Sequence, residues 1–324
     1  MPPRHWQSHR HPVALLLWPI SKIYGCIRFI RAKFYDWSVF KTHKLSVPVV
    51  IVGNVMAGGV GKTPIVIELV QRLLAMGYKP GVVSRGYGRK AKDCQLVTTS
   101  NSALDVGDEP LLMAHVCKVP VAVACDRVQA AKVLLAGHPE CNVIVSDDGL
   151  QHRALGRDVE VVVFDERGTG NNWLLPAGPL REPWPRKALS PIHLTLQSVP
   201  RRLADHAIDN TGHLHPLAGL LTLSDRPLHA IAGIAKPDTF FDMLRGKGLQ
   251  LASATAYADH DSFTKFCPAP DKNALWLCTE KDAFKLWASY PPLAWQILAV
   301  PLVVELDTTF LAILDATIKA LTTR

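Results

Sequence analysis

From residue 46 onward, short apolar runs bounded by glycine alternate with segments of helical period. Residues 47–53 (VPVVIVG) are continuously apolar, which predicts a strand buried on both faces. A helix is expected over 63–76, ended by Gly77. Residues 81–84, 119–125, 143–146 and 159–164 read as further strands, with a helix over 127–136 between two of them. This alternation predicts an α/β fold with a mostly parallel sheet flanked by helices. A second, smaller α/β pattern opens with a strand at 229–235 and a helix after Pro237, and includes a strand at 275–278. The expected organisation is an N-terminal segment (1–45), a large α/β domain (46–227) and a smaller α/β domain (228–324). The end of the chain is free to pack back on the large domain. Residues 195–227 read as a connecting region. Residues 165–190 break the rhythm with Gly, Pro, Asn and Arg, and a stretch that long without periodicity is usually functional.

The first 45 residues obey another rule. Residues 13–20 (VALLLWPI) form an apolar run too short to span a bilayer, and basic residues interrupt the next stretch, 21–37. At helical period Leu16, Ile20, Ile23, Ile27, Ile30 and Phe34 share one stripe, with Lys22 and Lys33 opposite and Arg28 on the flank. Arg31 falls near the apolar stripe and Phe29 on the polar side. The composition is that of an amphipathic helix lying in a lipid interface. A helix docked on the protein's own core, a single span and a signal peptide are the alternatives, and no small-residue cleavage site favours the last.

Charge sharpens this picture. The 324 residues carry a net +8, and residues 1–45 hold eight Lys/Arg against one acid, which leaves about +1 for the rest. The body lacks the basic stripe that nucleic-acid binding requires; the terminal segment suits an anionic surface. Seven cysteines show neither a C-x-x-C pair nor zinc spacing, so reduced thiols are expected.

The first predicted strand runs into Asn54-Val55-Met56-Ala57-Gly58-Gly59-Val60-Gly61-Lys62-Thr63 and then a helix. Strand, glycine-rich turn, G-K-T and helix in that order form a P-loop. Gly58, Gly59, Val60 and Gly61 would turn backbone N–H groups toward phosphates; Lys62 would reach the β/γ-phosphates and Thr63 would ligate Mg²⁺. Met56 stands where the first glycine of the usual pattern is found, a change expected to bear on nucleotide affinity. A P-loop needs a carboxylate at a neighbouring strand end, and the predicted strand at 143–146 ends in Asp147 and Asp148. At least one of them is expected to hold the metal. A guanine-specific N-K-x-D is not matched by Thr279-Glu280-Lys281-Asp282, so adenine is favoured.

Several ordered strings resemble the tetraacyldisaccharide 4′-kinases, which act on a lipid A precursor at the cytoplasmic face of the inner membrane. They are V-G-N at 52–54, the loop at 58–64, S-R-G-Y-G-R at 84–89, G-D-E-P at 107–110 and D-D-G-L-Q-H at 147–152. L-P-A-G-P-L-R-E at 175–182, A-G-I at 232–234, Asp259-His260 and T-E-K-D-A at 279–283 complete the set. The resemblance implies ATP-dependent transfer of a phosphoryl group to the 4′-hydroxyl of a glycolipid, with ATP and Mg²⁺ as cofactors and no required protein partner. It assigns Asp108 as the base that accepts the hydroxyl proton, with His260 orienting it or raising its basicity. Read without the resemblance, Asp108 is a helix N-cap and His260 one surface histidine among thirteen. Glu109 is a further candidate near the metal, and Gln151, Arg85, Arg127, Arg167 and Arg181 are candidate substrate contacts. The site is expected between the two domains, with closure gating the reaction. The competing reading is a membrane-associated P-loop ATPase that hydrolyses nucleotide as a switch.

Overall fold

The computed structural model describes residues 3–59, 61–98, 100–222, 226–266 and 273–322. The chain forms two compact units: one runs to Val199 and resumes at Glu305, and the other is Pro200–Val304. Residues 200–227 therefore group with the smaller unit rather than with the P-loop domain expected to extend to 227.

The larger unit contains seven strands, β1 (Val49–Gly53), β2 (Pro80–Ser84), β3 (Gln95–Leu96), β4 (Val121–Val123), β5 (Val143–Asp147), β6 (Val159–Phe164) and β7 (Ile192–Gln197). Their order is β3-β4-β2-β5-β1-β6-β7, parallel except where β3 meets β4. The sheet is accompanied by α1 (Pro12–Asp36), α2 (Lys62–Ala75), α3 (Ala103–Val106), α4 (Asp108–Cys117) and α5 (Arg127–Gly137). Every residue of β1, β2, β5 and β6 is buried, as continuous apolar runs require when helices cover both faces. Val49, Val50, Ile51 and Val52 are each at most 1% exposed. Burial of each such side chain contributes ~1.5–3 kcal/mol, set against ordering entropy. This core fixes the C-terminal ends of β1 and β5, where the chemistry of the predicted loop resides.

The smaller unit contains β8 (Arg201–Leu203), β9 (His206–Ile208), β10 (Leu214–Pro216), β11 (Leu228–Ala232), β12 (Leu251–Ala256), β13 (Leu275–Thr279), β14 (Ile297–Val300) and β15 (Leu302–Val304). Helices α6 (Leu217–Leu221), α7 (Pro237–Gly246) and α8 (Glu280–Ser289) join them. Six strands form one sheet in the order β10-β9-β14-β13-β11-β12, and β8 pairs with β15. The segment expected to be a connection thus holds three strands. Each has three residues, too few to show a period, and β9 is defined by antiparallel pairing with the distant β14. Helix α9 (Thr308–Thr322) belongs to the larger unit, where the Tyr78 hydroxyl donates to Asp315 Oδ1 at 2.8 Å.

Helix α1 inverts the usual burial of a surface helix. Its buried residues are Ala14 and Ser21, whereas Leu16, Ile20, Ile23, Ile27 and Ile30 are 46–77% exposed. It docks through small and polar groups. Ser21 Oγ donates to Leu174 O at 2.8 Å and accepts from Ala177 N at 2.9 Å. The Tyr24 hydroxyl donates to Arg181 O at 2.9 Å. Among the described residues α1 is the one helix long and apolar enough to cross a membrane.

Candidate active site

β1 leads directly into the glycine-rich turn, and β5 lies beside it with Asp147 paired to Val52 in register. The sheet therefore delivers the acidic pair to the loop, the relationship a P-loop requires. Gly61 caps α2 in the left-handed region at φ 68°, and Gly58 has φ 94°. Side chains resist those conformations, so glycine lets the chain reverse tightly before the helix. Val60 lies outside the described residues. Met56 is 1% exposed and packs in the core, while its backbone bridges Leu180. The departure from glycine is thus a core side chain.

Lys62 Nζ donates to Asn54 Oδ1 at 3.2 Å and pairs with Asp148 Oδ1 at 3.3 Å. Asn54 is fully buried and its amide donates to Met56 O at 2.8 Å, so one side chain fixes both the lysine and the turn. Asn54 was not among the candidates from sequence, although the V-G-N string contained it. Arg181 Nη1 reaches both oxygens of Asp148 at 3.1 and 3.0 Å. Arg127, only 5% exposed, donates to Asp148 O at 3.3 Å. Gln151 Nε2 donates to Asn54 O at 3.1 Å and to Glu182 Oε1 at 2.7 Å. Arg167 pairs with Asp165 at 2.7 Å and its Nη2 donates to Gly59 O at 3.3 Å. Arg85 is exposed at the end of β2, and Thr63 is half-buried in the first turn of α2.

The two aspartates have opposite environments. Asp147 is 2% exposed; its Oδ2 accepts from Ser84 Oγ at 3.3 Å and its Oδ1 has no partner. Burial, with Glu109 nearby, raises its pKa to about 7. Burial also acts on Asp148, but Lys62 and Arg181 outweigh it and hold that carboxyl below its ordinary value. One acid is thus held ionised by cations, and the other is a buried carboxyl whose Oδ1 makes no hydrogen bond. Among the described residues no three His, Cys, Asp or Glu side chains form a ready-made metal site. Mg²⁺ needs only one or two carboxylates besides phosphate and water, and the oxygen set of Thr63, Asp147, Asp148 and Glu109 fits it.

Asp108 and Glu109 open α4, and Gly107 rather than Asp108 is the N-cap. Gly107 has φ 94°, and a Cβ there would stand 3.0 Å from Gly86 Cα and Tyr87 O. That close approach brings the S-R-G-Y-G-R and G-D-E-P strings together backbone to backbone.

His260 lies in the Pro200–Val304 unit, and several of the remaining strings meet around it. The buried Asp282 accepts from Gly233 N at 3.0 Å and Thr279 Oγ at 2.7 Å. Gly233 O accepts from His260 N at 3.2 Å, and His260 adopts φ 63°. Lys281 Nζ lies 3.3 Å from His260 Nε2 and 3.2 Å from Asp259 Oδ1. A-G-I, Asp-His and T-E-K-D-A are therefore one small assembly that presents an imidazole.

The family described as LpxK, tetraacyldisaccharide-1-P 4′-kinase, matches residues 13–319. The chain belongs to this family. A protein named tetraacyldisaccharide 4′-kinase from Acidovorax sp. (strain JS42) is 47% identical over 98% of this chain and 94% of its own length. One of the same name from Polaromonas naphthalenivorans (strain CJ2) is 43% identical over 98% and 94%. Among solved structures, the "apo" form of LpxK from Aquifex aeolicus in complex with ATP matches with a TM-score of 0.79 at 27% identity. The match covers 94% of this chain and 99% of that one. Membership in the tetraacyldisaccharide-1-P 4′-kinase family accounts for why the strings occur together and in order.

Proposed function

We propose that this protein transfers the γ-phosphoryl group of ATP to the 4′-hydroxyl of a tetraacylated glucosamine disaccharide 1-phosphate at the cytoplasmic surface of the bacterial inner membrane. The observation that carries the proposal is Lys62 held between Asn54 and Asp148, beside the buried, unpartnered oxygen of Asp147. Amides at 58–63 and Lys62 bind the triphosphate. Thr63, Asp147 and Asp148, with Glu109 close by, would hold Mg²⁺, which neutralises charge on the transferring group. Arg181 and Arg127 steady Asp148, and Arg167 stands at the rim of the loop. Asp108 accepts the proton of the attacking hydroxyl and His260 assists it; family membership supports these roles. The exposed apolar face of α1 suits the headgroup–acyl boundary of a bilayer, which would keep the acyl chains in lipid while the headgroup reacts.

The test is an assay with labelled ATP, Mg²⁺ and the disaccharide 1-phosphate in detergent. Wild type should give a doubly phosphorylated lipid. Asp108→Ala and His260→Ala should lose turnover by ~10²–10⁴ with nucleotide binding retained, and Lys62→Ala should lose both. Wild-type turnover in both the Asp108 and His260 variants would refute the assignment. ATP hydrolysis indifferent to the lipid would favour the switch reading.

A further inference from the structure

The backbone that carries His260 has little freedom. Tyr257 N donates to Ala232 O at 2.9 Å, His260 N to Gly233 O at 3.2 Å and Asp261 N to Ala258 O at 3.0 Å. Phe263 is fully buried, and its N donates to Asp261 Oδ1 at 2.6 Å. A Cβ at Gly233 would stand 2.8 Å from Phe263 Cζ and 3.3 Å from Ala258 O, so the loop lies directly on the end of β11. With the main chain fixed, what remains to be set is the imidazole: which of its two nitrogens carries the proton.

The neighbouring Asp259 suggests a carboxylate–imidazole pair, and the geometry rejects it. Asp259 Oδ1 lies 3.8 Å from His260 Nε2, too far for a hydrogen bond. Lys281 Nζ stands between them, 3.2 Å from that oxygen and 3.3 Å from Nε2. The carboxylate is thus spent on the lysine. An ammonium has three donors and no acceptor, so Nε2 meets it with a lone pair and the proton of the neutral ring belongs on Nδ1. Had Asp259 been the partner, the proton would sit on Nε2. The two arrangements leave opposite chemistry at the other nitrogen: a donor in the first case, a bare acceptor in the second.

The position of Lys281 is itself fixed. It is the second residue of α8, and Thr279 caps that helix. Thr279 Oγ donates to Asp282 Oδ2 at 2.7 Å, and Gly233 N donates to the same oxygen at 3.0 Å. One buried carboxylate therefore joins the start of α8 to the turn that holds His260 N. The Lys281 side chain is 16% exposed against 43% for Asp259, so the lysine is the more enclosed of the two. One turn further along the same face, Lys285 Nζ donates to Asp261 O at 2.9 Å. Two lysines thus hold the loop, one on each flank of His260.

We propose that Lys281 is a positioning residue that holds His260 as its Nδ1–H tautomer by occupying Nε2. The inference rests on the role of His260 in the kinase reading and narrows it. With Nε2 taken, the ring acts through a donor, which orients a carboxylate base but does not raise its basicity.

The experiment uses the full chain with ¹⁵N-labelled imidazoles, read by long-range ¹H–¹⁵N NMR at the pH of the kinase assay; His260→Ala identifies the signals of that ring. Wild type should show a protonated Nδ1 and an unprotonated Nε2. Lys281→Met should lose this pattern, whereas Lys281→Arg, which keeps a donor, and Asp259→Asn should retain it. In steady-state kinetics Lys281→Met should lower kcat about 10–100-fold with the KM for ATP within about twofold, and Lys281→Arg should recover most of the loss. A wild-type ring protonated on Nε2 overturns the proposal, whether or not the variants fold. So does a Lys281→Met spectrum like that of wild type, a switch in Asp259→Asn, or full turnover in Lys281→Met where His260→Ala is impaired. Full turnover in His260→Ala would instead strike the role of His260 in the kinase reading, and the spectra would still decide what Lys281 does to the ring.

Discussion

Glu160 on β6 is fully buried and ionised between two cations, and its removal should weaken the larger unit measurably. Arg157 Nη1 approaches it at 3.1 Å and Arg186 Nη2 at 2.9 Å, while Leu189 N donates to its second oxygen at 3.1 Å. Breaking a buried pair leaves an uncompensated charge, at a cost of ~3–5 kcal/mol. Two features argue for the low end. Arg186 keeps a second partner in Glu182 at 3.4 Å, and Arg157 also donates to carbonyls including His152 O at 2.6 Å. Glu160→Ala should therefore cost ~3 kcal/mol, and Glu160→Gln, which keeps an acceptor for Leu189 N, about 2. The assay is urea unfolding monitored by the fluorescence of the tryptophans, at pH 7 and again in acid. Burial raises the pKa of Glu160, but Arg186 and Arg157 outweigh it and hold the carboxyl below its ordinary value. A depressed carboxyl contributes stability that is present above the unfolded pKa and lost as pH falls through the folded one. The gap between wild type and Glu160→Gln should thus be constant above about pH 5 and close in stronger acid. A variant equal to wild type at pH 7, or a gap that widens in acid, would refute this account.

Three other outcomes are expected from the contacts of single side chains. Asp147→Asn keeps the shape of the site but removes the carboxylate proposed to hold Mg²⁺, so on that proposal the Mg²⁺ concentration for half-maximal turnover should rise about 10–100-fold in a metal titration. Asp282→Ala releases Gly233 N and Thr279 Oγ, the two anchors of the turn behind His260; kcat should fall about tenfold with little change in the KM for ATP, as steady-state kinetics will show. Tyr78→Phe removes the hydroxyl contact that ties α9 to the larger unit and should cost ~1 kcal/mol in unfolding without altering either KM.

The long, doubly buried strands could be read from the chain because their apolar runs leave no choice of face. Residues 159–164 carry the same limits in sequence and structure, and the helix expected at 63–76 is Lys62–Ala75. The P-loop was legible for a similar reason: glycines, lysine and threonine at fixed spacing come after a buried strand. The features that escaped notice depend on distant partners. β8, β9 and β10 are three-residue strands defined by their pairing, and Asn54 acquires its role only when the turn returns Lys62 to it. The stripe on α1 was evident, but its docking through Ser21 and Tyr24 depends on carbonyls more than 150 residues away, at Leu174 and Arg181.

The segment around Leu175–Arg181 has little freedom of length. Ser21 holds Leu174 O and Ala177 N, Ala57 N donates to Pro179 O at 2.7 Å, and Arg181 N donates to Val55 O at 2.6 Å. Tyr24 takes the carbonyl of Arg181 while its guanidinium grasps Asp148. Dropping or adding one residue would displace that guanidinium by up to ~3.4 Å, more than a hydrogen bond can stretch. The stretch therefore works as a measured spacer between the outer helix and the phosphate end of the sheet, and an indel there should be far more damaging than a conservative swap.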